Sequence, residues 1–377
     1  MQICICRVRV EYKKLGDIAT YINGYAFKPE QRGNEGLPII RIQDLTGNAY
    51  DLGYYNGDYP KKVELNDGDV LISWSASLGV YLWNRGKALL NQHIFKVVFD
   101  KVEIDKFYFM YAVEYNLDKM SLKTHGATMK HITKKDFDNV VIPYPDLDYQ
   151  KEVTYRLTSL KGIIEKYQKQ LDLLDELVKA RFVEMFGDPI ENQKDWEVVK
   201  IRDIVTDVRY GTSKPAVEGG RYPYLRMNNL TVDGGLDLSD LKYIDIPDNE
   251  IEKCVVRKGD ILFNRTNSID LIGKTAVFNL LDDMVIAGYI IRIRLNNQIL
   301  PDVFSQYMNL EAMKKVLRGM AKGAVNQANI NAQELQSIKV YIPNMELQKQ
   351  YVEFKEEIDK SRLLSNHSLF LIKSIIF

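Results

Sequence analysis

Carboxamide side chains cluster at one point of this 377-residue chain. Directly after Gly323-Ala324 the sequence carries Asn326, Gln327 and Asn329. An amide presents a donor and an acceptor side by side, which matches the exposed edge of adenine in a DNA groove. The alternative is that these amides form a turn and cap the helix that follows. The first interpretation predicts a base-reading surface, and both remain open from the sequence.

Two further groups of polar residues follow predicted strands, and each group occurs twice. The pattern Pro-x-x-Arg-x-x-[Asp/Asn]-Leu-Thr places Arg41 and Gln43 in the first half of the chain and Arg226, Asn228 and Asn229 in the second. Guanidinium and amide groups suit base edges, whereas the competing interpretation is a salt bridge within the fold. Similar candidates follow a repeated Gly-Asp-hydrophobic strand, namely Ser73, Ser75, Asn264, Arg265 and Asn267.

Cations concentrate in two stretches that contain no acid, although the formal net charge of the chain is +0. Residues 119–135 and 312–333 each surround a Gly-Ala pair, at Gly126-Ala127 and at Gly323-Ala324. Matched positions favour two anion-facing surfaces over two solvated helix faces. The predicted phosphate contacts are Lys123, Lys130, Lys134, Lys135, Lys315, Arg318 and Lys322. His125 and His131 are candidates for phosphate or base contact, or for plain surface.

The chain is an internal duplication. Ile132 to Lys151 aligns with Ile330 to Lys349 at a constant offset of 198 residues, and upstream matches continue at offsets of 186, 185 and 191. A period near 200 residues is too long for a solenoid repeat, so it indicates two copies of one domain. The shifting offset places insertions between fixed anchors, which is typical of one scaffold with two different loop sets.

Catalytic motifs are missing from the sequence. It contains no Asn-Pro-Pro-Tyr or Asp-Pro-Pro-Tyr segment, no Phe-x-Gly-x-Gly loop for a methyl donor and no Walker A motif. Four histidines without an H-x-x-x-H pair and three cysteines do not form a metal-ligand pattern. We therefore expect no catalytic residue, no metal site and no cofactor in this chain. The few cysteines and the absence of a signal-peptide pattern suggest a cytoplasmic protein.

The elements that must position these residues are those of a mixed α/β fold. Helical turns are predicted at Leu15–Ile18 and Ile201–Ile204, and longer helices at Lys106–Lys119 and Pro301–Arg318. Short strands are predicted at Leu37–Ile42, Val70–Ser73, His93–Phe99, Tyr222–Met227, Asp260–Asn264 and Met284–Leu295.

A long helix is predicted after each domain. From Tyr149 to about Phe186, apolar residues follow a strict heptad at Val153, Leu157, Leu160, Ile164, Tyr167, Leu171, Leu174 and Val178. The second helix, from Leu347, has a weaker seam that includes Phe354, Ile358, Ser361 and Ile372. A stripe this long needs a partner, so we expect the two helices to pair antiparallel; separate oligomerisation helices are the alternative. The predicted domains are 1–148 and 187–346, and the predicted helices are 149–186 and 347–377.

The order of these motifs, found twice, closely resembles the specificity (S) subunits of type I restriction–modification systems. The resemblance covers essentially the whole chain. It is carried by Lys14-Leu15-Gly16-Asp17-Ile18, the Gly-Asp-hydrophobic segment, Gly-Ala-x-x-x-x-Ile, Ile-Pro-x-Pro with Gln-Lys, and the run from Arg181 to Pro189.

The resemblance implies two target-recognition domains related by pseudo-twofold symmetry and joined by two long antiparallel helices. Each domain would read one half of a bipartite double-stranded DNA target, and the helices would set the gap between the halves. Two modification (M) subunits would dock on the helices, and restriction (R) subunits would join them. S-adenosylmethionine, ATP and Mg²⁺ would belong to those partners. Two alternatives are a fused methyltransferase–specificity protein and a coiled-coil adaptor that binds proteins.

Overall fold

The computed structural model describes residues 10–48, 51–123, 133–324 and 326–376, without the side chains of 118–123 and 375–376. The chain divides into two compact units, Met1–Ile163 and Ile164–Phe377. The division falls inside the long helix that the sequence predicts, so each unit includes part of that helix.

The first unit is a mixed α/β domain. Its strands are β1 (Glu11–Lys14), β2 (Thr20–Asn23), β3 (Leu37–Ile40), β4 (Tyr54–Tyr55), β5 (Glu64–Leu65), β6 (Val70–Ser73), β7 (Gly79–Leu82), β8 (Ala88–Leu90), β9 (Ile94–Val98) and β10 (Val141–Tyr144). Its helices are α1 (Leu15–Ile18), α2 (Ile42–Thr46), α3 (Lys106–Lys123), α4 (Lys134–Asp138) and the first part of α5 (Leu147–Phe186). Short 3₁₀ turns cover Pro29–Gln31 and Lys61–Val63.

The second unit contains the corresponding elements. Its strands are β11 (Glu197–Lys200), β12 (Val205–Tyr210), β13 (Tyr222–Leu225), β14 (Lys242–Ile244), β15 (Val255–Val256), β16 (Ile261–Asn264), β17 (Thr266–Asn267), β18 (Thr275–Val277), β19 (Met284–Ile286), β20 (Ile290–Leu295), β21 (Lys322–Ala324), β22 (Gln327–Asn329) and β23 (Lys339–Ile342). Its helices are α6 (Ile251–Cys254), α7 (Pro301–Asn309), α8 (Glu311–Met320), α9 (Ala332–Ser337) and α10 (Met345–Ile376), with 3₁₀ turns at Ile201–Asp203 and Met227–Asn229.

Sheet topology shows the duplication directly. The orders β2-β9-β6-β7, β4-β3-β8-β5 and β1-β10 in the first unit recur as β12-β20-β16-β18, β14-β13-β19-β15 and β11-β23 in the second. In both units the central pair of the mixed sheet, β3 with β8 and β13 with β19, is parallel. The second unit also has the sheet β17-β22-β21. The matching Gly-Ala segment of the first unit, with His125, Lys130 and His131, lies outside the described residues.

Two sequence-predicted elements are divided in the structure. The strand expected over Met284–Leu295 is two strands, β19 and β20, which belong to different sheets because the chain turns at residues 287–289. The helix expected over Pro301–Arg318 stops at Leu310, whose backbone is extended. At this break the Asn309 side chain accepts from the Thr275 amide at 3.2 Å and donates to the Thr275 carbonyl at 2.6 Å. Asn309 therefore ties the end of α7 to strand β18.

The two long helices pair antiparallel within the second unit. Asp175 of α5 binds Arg362 of α10, the Arg181 guanidinium lies 5.8 Å from the centre of the Phe354 ring, and the rings of Phe182 and Tyr351 are 5.3 Å apart. Residue numbers fall along α5 as they rise along α10, so the helices run in opposite directions. Among the predicted pairing residues, Val178 is buried in the core of the second unit, and Phe354 and Ile358 pack against that core. The other predicted pairing residues of this region are half-buried, namely Ile164, Tyr167, Leu171, Leu174 and Ile372.

The seam of α10 differs from the prediction at one position. Ser361 is exposed, and the neighbouring Arg362 lies inward instead, because its guanidinium reaches both Asp175 and Asp359. Burial raises the pKa of Asp175, and the Arg362 charge opposes that rise. A charged pair therefore replaces an apolar layer in this part of the seam.

The first half of α5 is fastened to its own domain by a polar face. Thr158 lies 3.0 Å from the Tyr111 hydroxyl, and Lys161 forms an ion pair with Glu114 at 2.7 Å, so this half of α5 packs on α3. The predicted heptad residues of this half, Val153, Leu157 and Leu160, are half-buried on an adjacent face.

One buried glutamine locks each long helix to its domain. Gln150 and Gln348 are both fully buried. Gln150 accepts from the Asp105 amide at 2.9 Å and donates to the Pro145 carbonyl at 2.8 Å. Gln348 accepts from the Leu300 amide at 2.8 Å and donates to the Pro343 carbonyl at 2.9 Å. The Pro-to-Gln spacing that the sequence repeats is thus a structural clamp at the start of α5 and of α10.

Candidate nucleic-acid interface

Each domain has a cleft where its parallel strand pair ends. The first cleft has a volume of about 450 Å³ and is lined by Arg32, Arg41, Ile42, Gln43, Thr46, Asn48, Ser75, Ala76, Ser77, Asn91, Gln92 and His93. The second has a volume of about 550 Å³ and is lined by Thr212, Ser213, Lys214, Pro215, Ala216, Tyr224, Arg226, Met227, Asn228, Arg265, Ala287, Gly288 and Tyr289. The segments after β3 and β8 line the first cleft, and those after β13 and β19 line the second, so the two clefts are structural equivalents.

A glycine in each domain permits the strands to meet at the cleft. A Cβ on Gly24 would lie 1.9 Å from the Asn91 carbonyl oxygen, and one on Gly211 would lie 2.2 Å from the Ile286 carbonyl oxygen. Real Cβ atoms do not approach backbone oxygen so closely. Glycine is therefore required at both positions for the backbones to pack in this way.

The repeated strand-end arginines are held within the fold. The Arg41 amide donates to Asp44 Oδ2 and the Arg226 amide to Asn229 Oδ1, each at 2.8 Å. Their guanidinium groups pair with Asp44 at 3.0 Å and with Asp240 at 2.7 Å. The geometry gives both arginines the salt bridge that was the alternative to base contact. The next polar residues along each turn, Gln43 and Asn228, are exposed and line the clefts.

Three predicted contact residues lie inside the fold instead of on its surface. Ser73 and Asn264 are fully buried and Asn229 is 2% exposed. Ser73 donates to the Ser77 carbonyl, Asn264 to the carbonyls of Thr266 and Tyr289, and Asn229 to the carbonyl of Asp237. Each side chain donates to a nearby backbone carbonyl inside the fold, so these three residues support the backbone beside the clefts and are not exposed on the surface.

Arg265 and the Gly-Ala hairpin come together at the second cleft. The Arg265 guanidinium lies 4.9 Å from the centre of the Tyr210 ring, and its Nη2 donates to Asn329 Oδ1 at 3.0 Å. Asn329 belongs to β22, which pairs with both β21 and β17. Asn326 and Gln327 are exposed at the tip of this hairpin. Asn267, at the end of β17, donates to Asn264 at 2.8 Å and is half-buried.

Asn331 caps helix α9, which is the role that the alternative interpretation gave to Asn326, Gln327 and Asn329. The N-cap of α9 is Asn331, whose Oδ1 accepts from the amides of Gln333 and Glu334 at 2.9 Å each. Asn326 and Gln327 are therefore not needed as caps. Asn331 was missed in the sequence, although its spacing to Glu334 forms a capping box that signals a helix start.

The predicted phosphate contacts differ in whether they form ion pairs within the fold. Lys135 and Lys315 are exposed. Lys134 pairs with Asp138 at 2.8 Å, Arg318 with Glu311 at 2.7 Å and Lys322 with Glu334 at 2.5 Å. The Lys322 ammonium holds the pKa of Glu334 below its usual value. Acids just outside the acid-free windows thus fold back onto the cations. The side chain of Lys123 lies outside the described residues.

The first cleft carries local features of a binding site. Two of its non-glycine residues have left-handed backbone, Ala76 with φ 56° and His93 with φ 72°. Such conformations cost about 1 kcal/mol or more and concentrate at functional sites. Asn91 is 7% exposed, and its Oδ1 has no hydrogen-bond partner within the described part of the chain. Ser75, at 8% exposure, lines the same cleft.

Comparison with known proteins identifies the fold and the class of protein. The sequence model of the type I restriction modification DNA specificity domain matches the chain twice, at residues 7–174 and 193–370. The chain belongs to this family. It is a type I restriction–modification specificity subunit with two target-recognition domains, and specificity subunits are the DNA-recognition components of these systems.

Relatives span nearly the whole chain. It is 23% identical over 376 residues to the specificity subunit of the Escherichia coli type I restriction enzyme EcoBI, covering 91% of this chain and 78% of that protein. It is 24% identical to the MjaVIII specificity subunit of Methanocaldococcus jannaschii, covering 93% and 86%. The solved S subunit from M. genitalium shares the fold with a TM-score of 0.56 at 13% identity, covering 100% of this chain and 96% of that one.

The described residues lack two further kinds of feature. They contain no helix with the length and apolar character that a bilayer crossing requires. They also contain no group of three or more His, Cys, Asp or Glu residues placed to hold a metal ion.

Proposed function

We propose that each cleft of this specificity subunit reads one half of a bipartite double-stranded DNA target. The observation that carries this proposal is the same cleft built twice with different linings. Three exposed amides, Gln43, Asn48 and Gln92, line the first cleft together with one exposed cation, Arg32. The second adds Lys214 and Arg265 to Asn228. Amides suit adenine and cations suit guanine, so the two domains would select different half-sites.

Single amide substitutions test the reading of each half. Purified chain is assembled with its modification subunit and mixed with labelled duplexes that carry the target or one altered base pair. We expect Gln43→Ala to lower discrimination in one half-site and Asn228→Ala in the other, each by about 10-fold or more, since a good base contact contributes about 1–3 kcal/mol. Asn56→Ala and Asn249→Ala remove exposed amides outside the clefts and serve as controls. Unchanged discrimination in both cleft variants would refute the proposal.

We propose that Lys135, Lys315 and Lys322 contact phosphates. A phosphate contact contributes equally to every DNA sequence and releases counterions. Replacing one of these lysines with glutamine should weaken cognate and non-cognate binding alike and reduce the slope of log K against log salt by about one. DNA binding that is insensitive to salt would instead favour the protein-binding adaptor.

The long helices are the proposed docking surface for two modification subunits, which restriction subunits then join. Helix α10 exposes Leu363, Leu364, Phe370 and Leu371, with exposed fractions of 71%, 69%, 68% and 48%. The seven-residue spacing places Leu363 with Phe370, and Leu364 with Leu371, on the same side of the helix, and exposed apolar side chains grouped in this way are typical of a protein interface. The double variant Leu363→Ser/Phe370→Ser should lose co-purification with the modification subunit, whereas Lys360→Ser, at an exposed position of the same helix, should retain it.

In this proposal the chain contributes recognition and no catalytic step. S-adenosylmethionine, ATP and Mg²⁺ are bound by the modification and restriction subunits, and the complex acts in the cytoplasm. The helices set the gap between half-sites. Seven residues added to both α5 and α10 keep the heptad and lengthen each helix by about 10 Å. The preferred gap should then grow by about three base pairs, given about 3.4 Å per base pair, and an unchanged gap would contradict this role.

A further inference from the structure

One buried cation binds the backbone of the turn that carries Asn228. This turn, residues 227–230, is called the reading turn. Lys274, which directly precedes β18, is 7% exposed. Its Nζ donates to the Met227 carbonyl at 2.7 Å and to the Leu230 carbonyl at 2.5 Å. A single ammonium group therefore holds both ends of the reading turn.

Burial of this cation is unfavourable in itself, because desolvation lowers the pKa of Lys274. An apolar residue would fill the same space without that cost, but it would leave the two carbonyls without this donor. The ammonium is therefore matched to the backbone of the turn.

The first domain reaches the same result with a different residue. There, helix α2 carries Gln43, and Arg85 Nη1 donates to the carbonyl of Asp44 in that helix at 3.1 Å. Strands β6 and β16 occupy equivalent places in the two domains. Ile72 of β6 pairs with Val80, and Phe263 of β16 pairs with Thr275, so the residue before Val80, Gly79, corresponds to Lys274. The cation that holds the turn therefore comes from a different position in each domain, although the two turns are structurally equivalent.

We propose that Lys274 is a positioning residue that sets the base discrimination of the second domain by fixing the reading turn. The inference rests on the proposed reading role of the clefts and deepens it. A side chain that reads a base edge must be held within a fraction of an ångström of its hydrogen-bonding position. Asn228 makes no side-chain hydrogen bond to the described residues, so its position follows from the backbone of the reading turn. The buried Asn229 side chain holds the middle of that turn, and Lys274 holds its two ends.

The chain offers a matched control. Lys314 is also 7% exposed and lies in the same region, but it donates to the Gly273 carbonyl and to Asn309 Oδ1 and does not contact the reading turn. Lys274→Met and Lys314→Met each remove one buried lysine amino group that donates to a backbone carbonyl. Only the first releases the turn.

The test measures methylation of duplexes with single base-pair changes in either half-site, using the specificity subunit assembled with its modification subunit. We expect Lys274→Met to lower discrimination about 10-fold in one half-site and to leave the other half-site and the binding of non-specific DNA unchanged. Arg85→Met should lower discrimination in the opposite half-site, and Lys314→Met should leave discrimination in both half-sites unchanged. Lys274→Gln, which keeps a donor without the charge, takes the same test if Lys274→Met does not fold.

Several results would overturn the inference. Equal loss of discrimination in Lys274→Met and Lys314→Met would show a general effect of core damage, and unchanged discrimination in Lys274→Met would show that the turn needs no anchor. Relaxation of the same half-site by Lys274→Met and Arg85→Met would also contradict it. If Asn228→Ala relaxes one half-site while Lys274→Met does not, only this inference fails. If Asn228→Ala itself has no effect, the proposed reading role fails.

Discussion

Removal of the buried Lys314 ammonium should change how the stability of the second domain depends on pH. Burial, followed by the charges of Arg318 and Lys274, lowers the pKa of Lys314 to about 7 from its ordinary value of 10.5. Between these two values the unfolded chain holds a proton on Lys314 that the folded chain has released. The resulting penalty on the folded state is fully present below pH 7 and disappears as the pH rises toward 10.5.

The size of the effect follows from proton linkage. When the unfolded state binds one more proton than the folded state, the free energy of unfolding rises by about 1.4 kcal/mol for each pH unit. From pH 7.5 to pH 9.0, Lys314 should therefore contribute a rise of about 2 kcal/mol. Lys314→Met removes this contribution. Other groups, including Cys254 with its pKa raised by burial, titrate in both proteins and cancel in the comparison.

The assay must report on the second domain alone. Cys254 is 3% exposed and lies in that domain, so a short pulse of thiol reagent after equilibration in urea labels it only in unfolded molecules. Mass spectrometry of the Cys254 peptide then gives the fraction unfolded at each pH. Lys315→Met, which removes an exposed lysine one residue along the same helix, is the control and should follow the parent. Parallel pH dependence in the parent and in Lys314→Met would refute the reasoning.

Three further predictions concern the clefts and the helix junctions. Gly24→Ala and Gly211→Ala should each lower DNA affinity at least 10-fold in a gel-shift assay, because the added Cβ would lie 1.9 Å and 2.2 Å from backbone oxygen atoms; normal binding would show that the strands can separate without loss of the site. Gln348→Met should lower the free energy of unfolding by about 2–3 kcal/mol, because it leaves the Leu300 amide unpaired. Gln333→Met, at an exposed position, should leave the urea midpoint unchanged. Equal midpoints in the two variants would contradict the structural role of Gln348. Phe182→Ala should cost about 3–5 kcal/mol in urea unfolding, since its fully buried ring packs against Phe186 and Tyr351, and a cost below 1 kcal/mol would mean that the junction of α5 and α10 collapses around the cavity.

The architecture was accessible from the sequence because its signals are local or periodic. The strict heptad located α5, and the structure places the helix at Leu147–Phe186, within two residues of the predicted start. The constant offset of the repeat identified the duplication, which the matching sheet orders confirm. Strand β6 lies where the short apolar run placed it, at Val70–Ser73.

The chemistry of the clefts was less accessible, because it depends on contacts between residues far apart in the chain. Lys314 reads as part of a basic stretch, yet its ammonium is buried against Gly273 and Asn309. Asn264 follows a strand like a surface amide but turns inward to satisfy the Tyr289 carbonyl. Lys274 carries no sequence signal at all, since its acceptors lie 44 and 47 residues away. Burial and partner choice of this kind require the tertiary fold.

The two domains share one set of structural contacts and differ in the residues that line their clefts. The glutamine clamps, the cleft glycines and the amide contacts of Arg41 and Arg226 are the same in both domains. The side chains that line the clefts differ, and the cationic anchors beneath them come from Arg85 in one domain and Lys274 in the other. A scaffold whose stability rests on the shared set can accept new lining residues at little cost, since Gln43 and Asn228 are exposed and do not support the core. On the proposed reading role of the clefts, each lining also needs a turn that is held in place. The buried cation beneath the turn that carries Asn228 meets that need in the second domain, which offsets the cost of its burial.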